Sequence, residues 1–304
     1  MSYFIAMLKE YFKLLRIPHY IKNVIIFVPI LFRIQFTNIP LLINAGLGFI
    51  CFSLLSSIVY ILNDLQDIDK DRLHNIKCRR PLASGKISVS HAIVAMIILA
   101  ILLIILLVGL KIPGNYPHNL HSFGLLFLYL LLNIGYSCGL KNIPIVDITI
   151  IASGYVIRVL FGAVLIGSEV SVWLYLVITM GAYYLGLGKR RNELTNNGNN
   201  TREVMRFYSH NFLDKNMYVC QALCIMFYTL WSIDPTTVEY YHSLSFVYTI
   251  PLVFLILFKY SLNIESNTEG DPTSILLKDK FLLLLIFIYI ICVFYIIYIN
   301  IYAP

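Results

Sequence analysis

Charge is scarce in this chain. Asp, Glu, Lys and Arg make up 13% of its 304 residues, while 59% are hydrophobic. So little charge cannot cover the surface of a soluble domain, and the composition fits a polytopic membrane protein instead. A metal-thiolate framework is missing as well. Cys220 and Cys224 stand one helical turn apart, but no histidine or second cysteine pair completes a zinc set. These two, with Cys51, Cys138 and Cys292, fall in or beside apolar runs and are expected to pack there without disulfides; Cys78 falls in a polar loop. An apolar signal-peptide core is lacking, because Met1 to Arg16 is amphipathic and basic.

What the chain has is long apolar runs. Nine are read as spans, at about 20–37, 41–62, 91–110, 122–139, 147–166, 170–187, 217–233, 241–258 and 281–301. They predict an all-α membrane bundle of nine transmembrane helices, a single domain over 1–304. Lys22, Asn23 and Pro29 interrupt the first run. Nearly all of the 23 Lys and Arg fall in the N-terminal segment and in the loops after spans two, four, six and eight. Arg33 and Lys111 fall on the other side, and Arg158 lies inside span five. The positive-inside rule makes the basic side cytoplasmic, with the N-terminus inside and the C-terminus outside an inner or plasma membrane. The net charge of +7 is then topological, and no nucleic-acid partner is implied.

The chemistry concentrates between Asn63 and Gly85, N-D-L-Q-D-I-D-K-D-R-L-H-N-I-K-C-R-R-P-L-A-S-G. An apolar span stops at Leu62 and four aspartates follow. Read as a helix, each residue turns about 100°, so Asn63, Asp64, Asp67 and Asp71 share an arc of about 100° while Asp69 points away. Carboxylates on one face repel each other unless a cation neutralises them. Hard oxygens of this kind suit Mg²⁺, which takes one or two carboxylates plus substrate phosphates. Lys77, Arg79 and Arg80 follow and offer donors for phosphate oxygens. The stretch reads as a metal-diphosphate site at the mouth of a membrane bundle; the plain alternative is a solvated loop of mixed charge.

N-D-x-x-D-x-x-x-D followed by R-P-L-A-S-G resembles the first aspartate-rich motif of the UbiA superfamily of intramembrane prenyltransferases. D-R-L-H-N-I-K-C-R-R-P is most similar to its phosphoribosyl-transferring branch, although Asn75 replaces a proline usual there. Other stretches resemble that branch in order along the chain. Arg16, Lys22 and Asn23 stand before an apolar stretch, either to meet a substrate phosphate or, for the two cations, as interfacial anchors that snorkel. Tyr136 and Lys141 match a Tyr-and-Lys signature and add a phosphate donor pair. Asp147 and Arg158 stand about three turns or roughly 16 Å apart on one helical face. An arginine inside a span normally faces a polar cavity or a partner, so Arg158 meets either a substrate phosphate or a buried acid. Gly154 and Gly162 suggest close helix packing. Asp271-Pro272 and Asp279 resemble the last cytoplasmic loop of the branch and are supporting residues.

The most telling departure follows span six. Aromatic-prenylating members of the superfamily carry a second aspartate-rich motif there, whereas this chain has Lys189, Arg190, Arg191, Asn192 and Glu193. One acidic motif with a cationic one suits two separately phosphorylated substrates. The resemblance implies phosphoribosyl diphosphate (PRPP) and a polyprenyl phosphate as substrates. It also implies Mg²⁺ on Asp64 and Asp67, with Asp71. Lys77, Arg79 and Arg80 would contact PRPP, and Lys22, Lys141, Lys189 and Arg190 the lipid phosphate or the 5-phosphate. The alternative within the superfamily is prenyl transfer from a diphosphate to a small acceptor. A remote alternative is a cation-coupled transporter, against which stand the clustering of charge at one face and the lack of an internal repeat.

Overall fold

The computed structural model describes residues 2–73, 77–109, 117–197, 203–266 and 272–302. His74, Asn75, Lys111, the loop tip at 198–200 and the 269–271 stretch lie outside the described residues. Thirteen α-helices and several 3-10 segments make up the described chain, with no strand among them. Helix is what a membrane demands, since lipid offers the backbone no hydrogen-bond partners. The chain divides into two compact units, Met1–Gly139 with Ile157–Glu169, and Leu140–Val156 with Val170–Pro304.

The first unit opens with α1 (Ser2–Leu14), a 3-10 segment (Ile17–Phe27) and α2 (Val28–Phe32). Arg16 separates α1 from the 3-10 segment in the left-handed region, at φ 52° and ψ 44°. α3 (Ile39–Gln66) follows, its N-terminus capped by the Asn38 side chain on the Leu41 N–H. Then come α4 (Ile68–Arg72), α5 (Val89–Gly109) and α6 (Pro117–Ser137). α3 is the central element, packed against the 3-10 segment, α5 and α6. Within its most apolar window 61% is buried, against 6% for α5. α3 can therefore carry polar side chains inward, while α5 presents an Ile/Leu wall suited to lipid. The core around α3 includes Leu14, Ile26, Phe52, Ile61, Phe161 and Leu165.

α7 (Val146–Leu165) gives its first half to the second unit and its second half to the first. Gly162 lies so close to the 3-10 segment that a Cβ there would sit 2.1 Å from the Ile26 carbonyl oxygen. The second unit continues with α8 (Val172–Asn197), α9 (His210–Ile233), α10 (Pro235–Tyr241), α11 (Ile250–Ser266), α12 (Pro272–Lys278) and α13 (Lys280–Tyr302). α8 lies along α9, and α11 contacts α8, α9 and α13. Its core includes Tyr184, Leu187, Met205, Leu213, Met217 and Ile264.

Against the expected nine spans, seven helices among the described residues are long and apolar enough to cross a membrane, or eight if a bent pair is one span. The pair is Ile5–Leu14 with Ile17–Phe32, bent by 49°. Counted as one span, this pair begins before residue 20 and breaks at Arg16, where the backbone turns left-handed. The run expected at 170–187 is α8, which has the length of a span. Its interspersed Trp, Tyr, Thr and Gly dilute the apolar character, and it is not among the seven.

Candidate active site

The aspartate motif straddles the end of α3. Asp67 ends that helix, its N–H bonded to the Asn63 carbonyl at 3.1 Å, and α4 resumes at Ile68. Across the break Asp64 and Asp71 stay on one side. Asp64 and Asp71 are buried, whereas the Asp69 side chain is 92% exposed and pairs with Arg72. Two arginines reach the buried pair. Arg80 Nη1 donates to Asp64 Oδ1 at 3.0 Å and to Asp71 Oδ2 at 2.6 Å. Arg16 Nη2 donates to the same Asp64 Oδ1 at 2.5 Å. The four side chains form a neutral cluster of two acids and two bases. Asn63 Oδ1 accepts from Ser137 Oγ at the end of α6.

A polar stripe leads away from this cluster along α3. Ser53, Ser57, Tyr60 and Asp64 lie three or four residues apart, one helical face. The Arg16 guanidinium stands over the Tyr60 ring at 4.6 Å. Ser57 Oγ donates to the Leu15 carbonyl at 2.8 Å and pairs with Tyr20 at 2.7 Å, which pins the bend on both sides of Arg16. Ser53 Oγ accepts from Asn23 Nδ2 at 2.9 Å, and Asn23 Oδ1 accepts from Arg158 Nε at 2.7 Å. Arg158 is buried, donates to Tyr129 Oη at 3.3 Å, and lies over the rings of Phe52 and Tyr129. The contacts of Arg158 thus include an amide, a phenol and two aromatic faces, a polar and quadrupolar setting that lowers the cost of its charge inside a span.

The second unit holds a separate buried network. Arg190 Nε donates to Asp147 Oδ2 at 2.6 Å, and its Nη1 donates to Glu193 Oε2 at 2.6 Å. Tyr208 donates to Asp147 Oδ1 at 2.5 Å and accepts from the Ile145 N–H at 2.7 Å. Burial and the neighbouring Asp147 carboxylate push the Tyr208 phenol above its ordinary pKa, so it remains a donor. Arg191 pairs with Asp214 at 2.5 Å. The three consecutive cations thus divide: Arg190 and Arg191 hold carboxylates, and Lys189 is half-buried.

Of the residues expected to act, the first unit brings Asp64, Asp71 and Arg80 into direct contact and joins Asn23 to Arg158. Asp67 stands beside the pair in the chain, and Lys22, Lys77 and Tyr136 are half-buried in the same unit, with Arg79 exposed. Asp147, Arg190 and Glu193 meet in the second unit, to which Lys141 and Lys189 also belong. The sequence pointed Arg16 to a substrate phosphate or to the headgroups rather than to Asp64, and it gave no role to Tyr208. The signal for Arg16 was available in the polar stripe: serines and a tyrosine in register with Asp64 inside an apolar run call for a polar partner across them.

The donor set suits a divalent metal. Asp64 and Asp71 supply hard oxygens and already share one positive group, Arg80 Nη1. Among the described residues no cluster of three or more His, Cys, Asp or Glu is placed to hold a metal. Two carboxylates completed by substrate phosphate and water fit the habit of Mg²⁺.

Fold and site together define an all-α polytopic membrane protein with a buried carboxylate–guanidinium cluster at the end of a spanning helix. Residues 25–291 match the UbiA prenyltransferase family, and the chain belongs to that family. It is 28% identical over 299 residues to a decaprenyl-phosphate phosphoribosyltransferase of Corynebacterium glutamicum, covering 94% of this chain and 86% of the relative. A decaprenyl-phosphate phosphoribosyltransferase of Mycobacterium tuberculosis is 26% identical over 280 residues, covering 90% and 89%. These relatives support the phosphoribosyl-transferring branch. A UbiA homologue from Archaeoglobus fulgidus, solved with DMAPP and Mg²⁺, shares the fold at a TM-score of 0.70 and 20% identity, covering 95% of this chain and 99% of that one.

Proposed function

We propose that the protein transfers the 5-phosphoribosyl group of PRPP to a polyprenyl phosphate and releases pyrophosphate. The observation that carries this reading is the bridge from Asp64 through Arg80 to Asp71, with Arg16 on Asp64, at the buried end of α3. The two relatives named as phosphoribosyltransferases support the choice of substrates. An oxygen of the lipid phosphate forms a bond to the anomeric carbon. The bond from that carbon to pyrophosphate breaks, and its electron pair leaves with pyrophosphate. The lipid phosphate is already an anion, so no general base is required. The protein supplies position and charge.

Arg80, Lys77 and Arg79 donate to the phosphates of PRPP. Arg16 holds Asp64 in place. Asn23, tied to Ser53 and Arg158, fixes the 3-10 segment that presents Lys22 to a phosphate. Lys141 and Lys189 are the phosphate donors proposed in the second unit, where Asp147, Arg190 and Glu193 maintain the end of α8. When bound by Asp64 and Asp71, with Asp67, Mg²⁺ would neutralise charge on the departing pyrophosphate. By the positive-inside rule, the cluster opens to the cytoplasm of an inner or plasma membrane.

The test is to incubate membranes containing the protein with PRPP labelled in the ribose, Mg²⁺ and a polyprenyl phosphate. Label enters the lipid phase with the active protein and fails to do so with Asp64→Asn. Full activity in Asp64→Asn overturns the metal assignment. A second reading, prenyl transfer from a diphosphate, draws on the shared fold of the homologue that holds DMAPP. Consumption of a prenyl diphosphate without labelled lipid from PRPP would establish that reading instead.

A further inference from the structure

The two arginines on Asp64 are held very differently. Arg16 is fixed by its surroundings. Its backbone is left-handed, the residues on either side are tied to Ser57, and its guanidinium is stacked on Tyr60. A non-glycine residue adopts this conformation only where its neighbours enforce it. Arg80 sits instead in the turn that follows a short 3-10 segment (Lys77–Arg79), outside any α-helix. Its side chain is 30% exposed, the most open of the four, against 3% for Asp64. A single nitrogen, Nη1, serves both carboxylates. Arg80 Nη1 therefore stands between the two carboxylates, on one oxygen of each, where a divalent cation shared by Asp64 and Asp71 would sit, whereas of the two acids Arg16 bonds Asp64.

Charge sets the consequence. Asp64, Asp71, Arg16 and Arg80 sum to zero, and Asp67 adds one negative charge, so a divalent cation entering alone still leaves these groups with an excess of positive charge. An anionic phosphate arriving with the cation removes that excess, and it offers Arg80 a new acceptor with matching geometry.

Building on the proposed metal-diphosphate reading of this cluster, we propose that Arg80 is an exchangeable counter-ion. It holds Asp64 and Asp71 together in the ligand-free protein. It passes to the diphosphate when a divalent cation takes the carboxylates, while Arg16 remains on Asp64 as a permanent positioning residue. Cation and diphosphate then bind with positive coupling, because each completes the exchange that the other begins.

The experiment is a linkage measurement on the full chain in detergent. Mn²⁺ binding is followed by the spin-resonance signal of free Mn²⁺, and labelled inorganic pyrophosphate binding by equilibrium dialysis, each with and without the other. The free Mn²⁺–pyrophosphate complex is included in the fit. Wild type is expected to show a coupling of at least about tenfold, within the usual range for linked sites. Arg80→Gln binds Mn²⁺ alone more tightly and loses most of the coupling, and Arg80→Lys restores part of it. Arg16→Gln changes the individual affinities but keeps the coupling within about threefold of wild type. Thermal unfolding of each variant separates loss of exchange from loss of fold. Coupling unchanged in Arg80→Gln, or lost equally in both arginine variants that remain folded, overturns the exchange while leaving the metal site standing. If wild type binds no Mn²⁺ with or without pyrophosphate, the metal-diphosphate reading itself fails and the exchange fails with it.

Discussion

The guanidinium of Arg190 and the carboxylate of Asp147 meet at 2.6 Å, and neither side chain is exposed at all. Removing Asp147 leaves the buried guanidinium short of one carboxylate, with Glu193 still on its Nη1. Asp147→Ala is therefore expected to destabilise the protein by about 3–5 kcal/mol. Tyr208→Phe removes one donor to the same carboxylate and should cost about 1–3 kcal/mol. Thermal unfolding in detergent reads both. An Asp147→Ala protein that unfolds like wild type but transfers nothing would move Asp147 from the scaffold to the chemistry.

Gly162 is where α7 and the 3-10 segment touch backbone to side-chain position. A Cβ there lies 2.1 Å from the Ile26 carbonyl oxygen, and a carbonyl in a packed segment cannot swing aside as the tip of a long side chain can. Gly162→Ala should cost about 1–3 kcal/mol through overpacking. The same shift propagates to Asn23, three residues before Ile26, so the variant should also lose activity at temperatures where it remains folded. An unchanged unfolding temperature would show that the approach is looser than described.

Asp279 offers a pH test away from the cluster. Burial raises its pKa, but hydrogen bonds from the Lys259 ammonium and the Leu282 N–H outweigh this and bring it down from 3.8 to about 2. A lowered carboxylate pKa means that the unfolded chain binds the proton more readily. The stabilisation is complete above the unfolded value and is lost as pH falls through about 2. The stability difference between wild type and Asp279→Asn should be constant above about pH 5 and shrink steadily below pH 4. A difference that instead grows on acidification would reverse the assignment.

Cys78 reports orientation. It lies between Lys77 and Arg79, is part-exposed, and shares its loop with Arg80. In a variant keeping Cys78 and lacking the other cysteines, a membrane-impermeant maleimide should label inverted vesicles and spare right-side-out ones. The opposite pattern would place the acidic cluster outside and rule out a cytoplasmic PRPP site.

Much of this architecture was legible because lipid is a demanding solvent. Seven apolar runs reappear as spanning helices, five of them within a few residues of their expected ends; α9 begins earlier, at His210, and the run expected at 241–258 extends to Ser266. The face shared by Asp64 and Asp71, and the outward turn of Asp69, followed from helical geometry and survived the break at Asp67. The first run resisted the same logic. An amphipathic N-terminus and an interrupted apolar stretch give no sign of a bend between them, because the bend is held by Ser57 of α3, which bonds the Leu15 carbonyl and the Tyr20 hydroxyl. α8 was read in place, from Val172, but its aromatic and small residues, some of them against α9, leave it less apolar than the seven.

By itself, then, the sequence determined the helical class, the polar stripe in α3 and the oxygen-rich ending that carries the chemistry. Those follow from local periodicity and from what a bilayer tolerates. Only the tertiary structure decided which cations serve which carboxylates. Arg16 is forty-eight positions from Asp64 and Arg80 sixteen, while Arg190 spends its charge on Asp147 forty-three positions away. An arginine beside a phosphate site and an arginine buried against an aspartate read alike in one dimension. The difference lies in which carboxylate stands within 3.0 Å, and packing alone fixes that.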